Sequence, residues 1–272
     1  MKISAIIIDT LRQTISKGTL LFYFGMSTIT ILVLSFIFQS VTVDGTATFS
    51  LFGNAIPKEI APKYLAWFQT GLISAGFIGL LLFGVIATAG VLPDTMTRGT
   101  IDLYLSKPIG RPFILLGKYL GALAAIALNV LYAVGGLWIM FGMKTGIWSA
   151  PFLYTFVMLT FSYAVIYCYI ILLAILFHSS GLVIMLSFIY IFIFDNILYH
   201  RQGLLYGFIE NSYAQKVIDG LYYALPQISD LQSNTMRLIS GGSMTPGPVY
   251  YSTASGIAAL IIAIIIFNRK DF

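Results

Sequence analysis

Charge is scarce in this chain of 272 residues. Asp, Glu, Lys and Arg together supply 9% of it, and 58% is hydrophobic. Soluble domains carry roughly 25% charged residues, so a water-soluble fold is excluded: too little polar surface exists to cover so much apolar chain. What remains is a polytopic membrane protein. Cysteine is nearly absent as well. Cys168, inside an apolar run, is the only one, which excludes a disulfide within the chain and a thiolate metal cluster. The two histidines, His178 and His200, are too few for most metal sites, and no metal is expected.

Catalytic and nucleotide-binding patterns are missing too. There is no His-Glu-x-x-His pair, no Gly-x-Ser-x-Gly turn and no cluster of paired carboxylates in an apolar stretch. A P-loop needs Gly-x4-Gly-Lys-Ser/Thr so that backbone amides surround the phosphates. The nearest approach is Gly117-Lys118, with Pro112 and Tyr119 at the other required positions. The expectation is a chain that is no enzyme, carries no cofactor and does not hydrolyse ATP alone. Residues 2–17 also lack the apolar core and small-residue cleavage site of a secretory signal, so no cleaved leader is expected.

What is present is apolar length. Six stretches can cross ~30 Å of hydrocarbon at 1.5 Å per residue: residues 19–41, 67–92, 113–140, 151–177, 181–199 and 250–267. The third is long enough to be tilted or partly interfacial. The expected fold is all-α, one transmembrane domain over residues 1–272 with six transmembrane helices. Residues 2–17 form an amphipathic pattern, with Ile3, Ile6, Ile7, Ile8, Leu11 and Ile15 on one arc and Lys2, Asp9, Arg12, Gln13, Ser16 and Lys17 on the other. Such a helix, over about residues 1–18, lies in the membrane plane or packs on protein. The net charge of +5 is an orientation signal rather than a sign of nucleic-acid binding, and no nucleic-acid partner is expected. With the N-terminus inside, the short inner segments hold Lys2, Arg12, Lys17, Arg98, Lys107, Arg111, Lys118, Arg269 and Lys270, nine of the fifteen basic residues. Both termini are therefore expected in the cytoplasm of a multi-pass protein of the cell (inner) membrane.

The external segment 200–249 is long for a connection. Ala214, Val217, Ile218, Leu221, Tyr222 and Leu225 share a helical face and Pro226 stops it, which predicts an outer helix over residues 211–225. Gly117, Gly121 and Ala125 form a stripe of small residues that permits close helix approach.

Few polar residues fall inside spans. Asp195, beside Asn196, is the only acid within one. A charge at the bilayer centre costs ~2.5–3.5 kcal/mol by insertion scales, so it is a functional suspect. It stands roughly 21 Å up its helix, where it can also reach the outer interface or bond a neighbouring helix. Asn129 is a helix–helix contact or a ligand. Asn129, Asp195 and Asn196 are the candidate substrate-path or gate residues. Lys118 is expected to snorkel to the headgroups, and His178 to be a solvated turn residue. The fourth span is rich in aromatics (Tyr154, Phe156, Phe161, Tyr163, Tyr167, Tyr169), a pattern of packing and anchoring that also suits apolar cargo.

The segment 93–112 is the most distinctive. Pro93 is expected to end the second span, and Asp94, Thr95 and Thr97 to start a helix. Ile101, Tyr104 and Leu105 fall at i, i+3 and i+4, giving a short turn an apolar edge suited to a groove on a soluble partner, or an ordinary positive-inside loop. Pro108 stops it. The run Gly99-Thr100-Ile101-Asp102-Leu103-Tyr104-Leu105-Ser106-Lys107-Pro108-Ile109-Gly110-Arg111, then Phe113-Ile114-Leu115-Leu116-Gly117-Lys118-Tyr119-Leu120-Gly121, resembles the permease subunits of type-2 ABC exporters. The matched positions are Gly99, Thr100, Leu103, Leu105, Ser106, Pro108, Arg111, Gly117, Lys118 and Gly121. The layout agrees: an N-terminal in-plane helix, six spans, a long outer segment before the last and a short basic tail. One departure stands out. Where the family carries a glutamate four residues before Gly-Thr, this chain has Thr95, and Asp94 is the nearby acid.

The resemblance implies a half-transporter, a homodimer or a heterodimer with a related permease, embedded in membrane lipid. Separately encoded ABC ATPase subunits would hold ATP and Mg2+ beneath it. Ile101, Tyr104, Leu105 and Pro108 would supply the docking surface, Arg98, Asp102 and Lys107 the orienting charges, with Gly99 and Ser106 in the same coupling element. Two rivals stand beside this. A secondary transporter or channel places ionisable groups near the midplane, which this sequence does not; a membrane scaffold or assembly factor could use the same docking loop. The lack of clustered charge in the spans favours amphiphilic, lipid-like or peptide cargo.

Overall fold

The computed structural model describes residues 3–16, 18–43, 46–97, 99–100, 110–209 and 211–270. Six helical stretches are long and apolar enough to span a membrane: Thr19–Ile37, Ala61–Thr95, Arg111–Thr145, Ala150–Phe177, Ser180–Tyr199 and Gly247–Arg269. The chain is an all-α polytopic membrane protein. Its helices are α1 (Ile3–Ser16), α2 (Thr19–Ile37), α3 (Ala61–Thr88), α4 (Val91–Thr95), α5 (Arg111–Thr145) and α6 (Tyr154–Phe177). They continue as α7 (Ser180–Ile189), α8 (Asp195–Tyr199), α9 (Arg201–Leu204), α10 (Ser212–Ala224), α11 (Ile228–Ile239) and α12 (Gly247–Arg269).

The first span is shorter than its apolar run. Residues 38–41, expected in the membrane, belong to strand β1 (Phe38–Val43), which pairs antiparallel with β2 (Thr46–Leu51), and β2 with β3 (Asn54–Ala55). The register sets Phe38 opposite Leu51 and Val43 opposite Thr46. Alternating β-branched residues around Asp44-Gly45 are a hairpin signal that span length alone conceals. Phe38 seals the hairpin end of the bundle: its ring centroid lies 4.8 Å from that of Phe68, 5.1 Å from Phe141 and 5.6 Å from Phe49.

Pro93 does not end the second span. It sits in the first turn of α4, where a missing N–H costs little. Thr95 closes α4, its Oγ1 donating to the Val91 carbonyl at 2.7 Å, and Thr97 Oγ1 donates to the Asp94 carbonyl at 2.8 Å; the short helix expected to follow Asp94, Thr95 and Thr97 falls on residues 101–109, outside the described residues. The threonine hydroxyls turn back on the preceding turn, an option open to any Thr near a helix end. Helix α5 has 35 residues, about 52 Å, so it outreaches the hydrocarbon. The fifth span is α7 and α8 joined by a π-helical turn, Tyr190–Phe194.

Helix α10 occupies the predicted place. Helix α11, which packs against α3 and α6, has no clear signature in the sequence. Its buried face mixes Ile228, Leu231 and Ile239 with Gln232, Asn234 and Thr235, so its apolar period is faint. Gln232 Nε2 donates to the carbonyls of Ile73 and Ser74 at 3.1 and 2.8 Å, and Asn234 Oδ1 accepts from Thr245 N and Oγ1 at 3.1 and 2.6 Å.

Candidate functional site

The start of α5, the end of α12 and the α6–α7 turn converge at one end of the bundle. Arg111 Nη1 donates to the carbonyls of Lys270 at 2.7 Å and Asn268 at 3.2 Å. Lys270 Nζ donates to the Ile175 carbonyl at 2.6 Å and meets His178 Nε2. His178 is an exposed turn residue, as expected, and it also meets the C-terminal tail. It closes α6 at φ 53°, in the left-handed region that is uncommon outside glycine, and holds the C-terminal tail. Burial, and next the Lys270 ammonium, keep its imidazole below the ordinary value.

The candidate coupling segment is framed by this end. Gly99 is exposed with φ 87°, where an L side chain is strained by roughly 1–2 kcal/mol. The chain returns at Gly110 in extended conformation and enters α5 at Arg111. Arg98, Ile101, Asp102, Tyr104, Leu105, Ser106, Lys107 and Pro108 lie outside the described residues.

Helix α1 lies along α5. Its buried face is Ile6, Thr10 and Thr14, a line along one edge of the apolar arc; Ile8 and Ile15 stay exposed. The small-residue stripe makes this contact. A Cβ on Gly117 would stand 2.7 Å from Ile6 Cγ2, and one on Gly121 2.5 Å from Thr10 Cβ. Lys118, expected to snorkel, is instead 1% exposed, and its Nζ donates to Asp9 Oδ2 at 3.1 Å and Gln13 Oε1 at 3.0 Å. The correction has a simple cause. The ammonium finds a carboxylate on a helix folded back from far away in sequence, a partner 109 residues off.

The candidate path residues have separate partners. Asp195, 4% exposed, accepts from Ile228 N at 2.9 Å, Ser229 N at 2.8 Å and Ser229 Oγ at 2.5 Å. It caps the N-terminus of α11, where free amides and the helix dipole favour a negative charge. Asn196 is exposed. Asn129 is buried, and its Oδ1 accepts from Ser27 Oγ at 3.3 Å across the α2–α5 contact. Ser27 lines an apolar cavity of about 170 Å3 together with Gly76, Gly79 and Thr155.

The family description "ABC-2 family transporter protein" matches residues 7–271, nearly the whole chain. The chain belongs to the ABC-2 transporter family. No individually curated protein matches it. As an ABC-2 permease it is a multi-pass membrane subunit of an ABC transporter and not itself the ATPase, and permeases of this family in general work with an ABC ATPase.

In this permease two sets of residues escaped the sequence reading. In the segment between the last two spans, Arg201 Nε donates to Asp219 Oδ1 at 2.7 Å while its guanidinium lies 3.5 Å from the Tyr222 ring centroid, and Tyr222 OH donates to Asp230 at 2.6 Å. These contacts hold α10 to the bundle. The Arg201 hydrogen bond keeps the Asp219 carboxyl below the usual range. In the interior, both amide atoms of Gln69 and the Thr155 hydroxyl are buried with no partner among the described residues. A lone Gln or Thr in an apolar run gives no sign of whether it is satisfied.

Proposed function

We propose that this permease is the membrane half of an ATP-driven exporter of the cell (inner) membrane. Two such subunits, identical or paired with a relative, line the pathway. Two ABC ATPase subunits bind beneath and carry ATP and Mg2+; this chain needs no cofactor of its own. Both termini and residues 93–112 face the cytoplasm, in keeping with nine of the fifteen basic residues on that side. Ile101, Tyr104, Leu105 and Pro108 form the docking surface; Arg98, Asp102 and Lys107 orient it.

The observation that carries the proposal is where residues 98–109 are attached. They follow α4 and return into α5, whose first residue holds the C-terminal tail and whose second turn holds α1. A push on so short a segment is passed to three elements at once. Nucleotide-driven closure of the ATPases then biases a two-state rocking of the spans through differential contacts. The test is the double variant Ile101→Asp/Leu105→Asp. Loss of two apolar anchors, each worth ~2 kcal/mol at a docking centre, should lower co-purifying ATPase more than about tenfold while membrane insertion is unchanged. Wild-type retention of the ATPase contradicts the proposal.

A further inference from the structure

The Gly117-Lys118-Tyr119-Leu120-Gly121 stretch has a task in the structure beyond opening a span. Gly117 and Gly121 let α1 approach α5 until Ile6 and Thr10 fill the space their side chains would take. Between them Lys118 reaches across to Asp9 and Gln13, two residues one turn apart on α1. Thr10 and Thr14 lie on the same contact, but their hydroxyls donate back to the carbonyls of Ile6 and Thr10 at 2.8 and 2.7 Å. They leave the polar crossing to Asp9 and Gln13.

Burying the Lys118 ammonium costs several kcal/mol, and its partner Asp9 keeps 49% of its side chain exposed against 1% for Lys118, so solvent weakens the attraction that would offset that cost. An interface that needed adhesion alone has no use for lysine here. Register is a different requirement. In lipid, apolar side chains gain little by choosing each other over acyl tails, and a seam of small residues permits close approach without fixing one level. A charged tie in the middle of the seam fixes both the rotation and the axial position of α1; register setting is the best-attested use of buried polar groups. Its place along α5 also matters. Lys118 stands eight residues past Gly110, about 12 Å along the helix, between the end of the coupling segment and the midplane.

We propose that Lys118 is a positioning residue that, by holding Asp9 and Gln13, makes α1 and the inner half of α5 one rigid lever through which movement of residues 98–109 reaches the spans. The inference rests on the ATPase-docking reading above. Its experiment keeps the two apart, because ATPase retention reads docking and label movement reads the lever.

In a Cys168→Ser background, the permease–ATPase complex is purified, placed in lipid nanodiscs and spin-labelled at Ile15→Cys and Phe113→Cys, both exposed in the structure. A second preparation carries a single spin label at the exposed Phe52→Cys on the outer hairpin, with the distance read between the two subunits. Distances are compared without nucleotide and after trapping with ATP and vanadate. The lever predicts that the Ile15–Phe113 distance stays fixed while the Phe52 distance shifts. In Asp9→Asn/Lys118→Met, ATPase retention and ATP hydrolysis persist, but the Phe52 shift falls by about threefold or more. The charge-reversed pair Asp9→Lys/Lys118→Asp brings it back. Three results overturn the proposal: a nucleotide-dependent change in the Ile15–Phe113 distance, a wild-type Phe52 shift in the neutral pair, or no recovery in the reversed pair. A purely stabilising ion pair would lower thermal stability in the neutral variant and leave the nucleotide-driven shift intact. Failure of the ATPase to co-purify with the unaltered permease overturns the docking reading, and the lever with it.

Discussion

Gly121 faces Thr10 with no room for a methyl group, the prospective Cβ falling 2.5 Å from Thr10 Cβ. Gly121→Val should therefore push α1 off α5 at a cost of roughly 1–3 kcal/mol of overpacking, read as a lower unfolding temperature and faster proteolysis within residues 3–16. Gly121→Ala should show the same effect more weakly. Asp195→Ala removes the acceptor for three donors at the head of α11. A lost cap costs about 1–2 kcal/mol, so the amides of Ile228 and Ser229 should exchange hydrogen faster than in the parent. His178 makes a pH-dependent contact. Its folded value is depressed by burial and then by Lys270, so the imidazole holds the tail while neutral. The contact is intact above the unfolded value of about 6.5 and weakens as pH falls from there through the lowered folded value. Protease release of the C-terminal residues should rise as pH falls below about 6.5, and His178→Gln should remove that dependence. At this scale the sequence marked the right residues but not their partners. Asp195 was conspicuous because a span holds so few charges. The amides it caps lie 33 and 34 residues on, in a helix without a clear apolar period. Lys118 was misplaced for the same reason, although Asp9 and Gln13 at i and i+4, opposite a lysine in a small-residue stripe, were a usable signal.

Among elements, those set by a long apolar run were legible and those set by tertiary contact were not. The spans at 151–177 and 181–199 fall within a residue or so of their predicted ends. The hairpin, the π-helical turn and α11 were hidden. The hairpin begins inside an apolar run. The π-helical turn places the Tyr190 hydroxyl 2.5 Å from the Pro226 carbonyl it donates to, a fit to the segment before the last span that no local pattern encodes. Helix α11 buries polar residues by matching each to a specific backbone group. The hairpin has a direct test. Phe38 contacts Phe49, Phe68 and Phe141, and Phe38→Ala should destabilise the protein by roughly 3–5 kcal/mol, measured as the unfolding temperature in detergent. An equal effect from the exposed Phe52→Ala would mean that the seal is not where the energy lies.

For the whole molecule, composition sets the class and the six apolar stretches set the number of spans, because apolar length leaves few alternatives in a bilayer. The working end needed the structure. It shows that the N-terminal helix, the start of α5, the α6–α7 turn and the C-terminal tail are tied by Lys118, Arg111 and Lys270. In the proposed mechanism the ATPase applies its force to this frame through the segment 98–109. The claim that a separate ATPase supplies this force is tested most directly by amide hydrogen exchange on the purified permease with and without its ATPase. The account predicts protection concentrated in residues 98–110, with an ATP-dependent change that extends into α1 and the first turns of α5. Exchange in residues 98–110 that is the same with the ATPase present, absent or nucleotide-bound would contradict it.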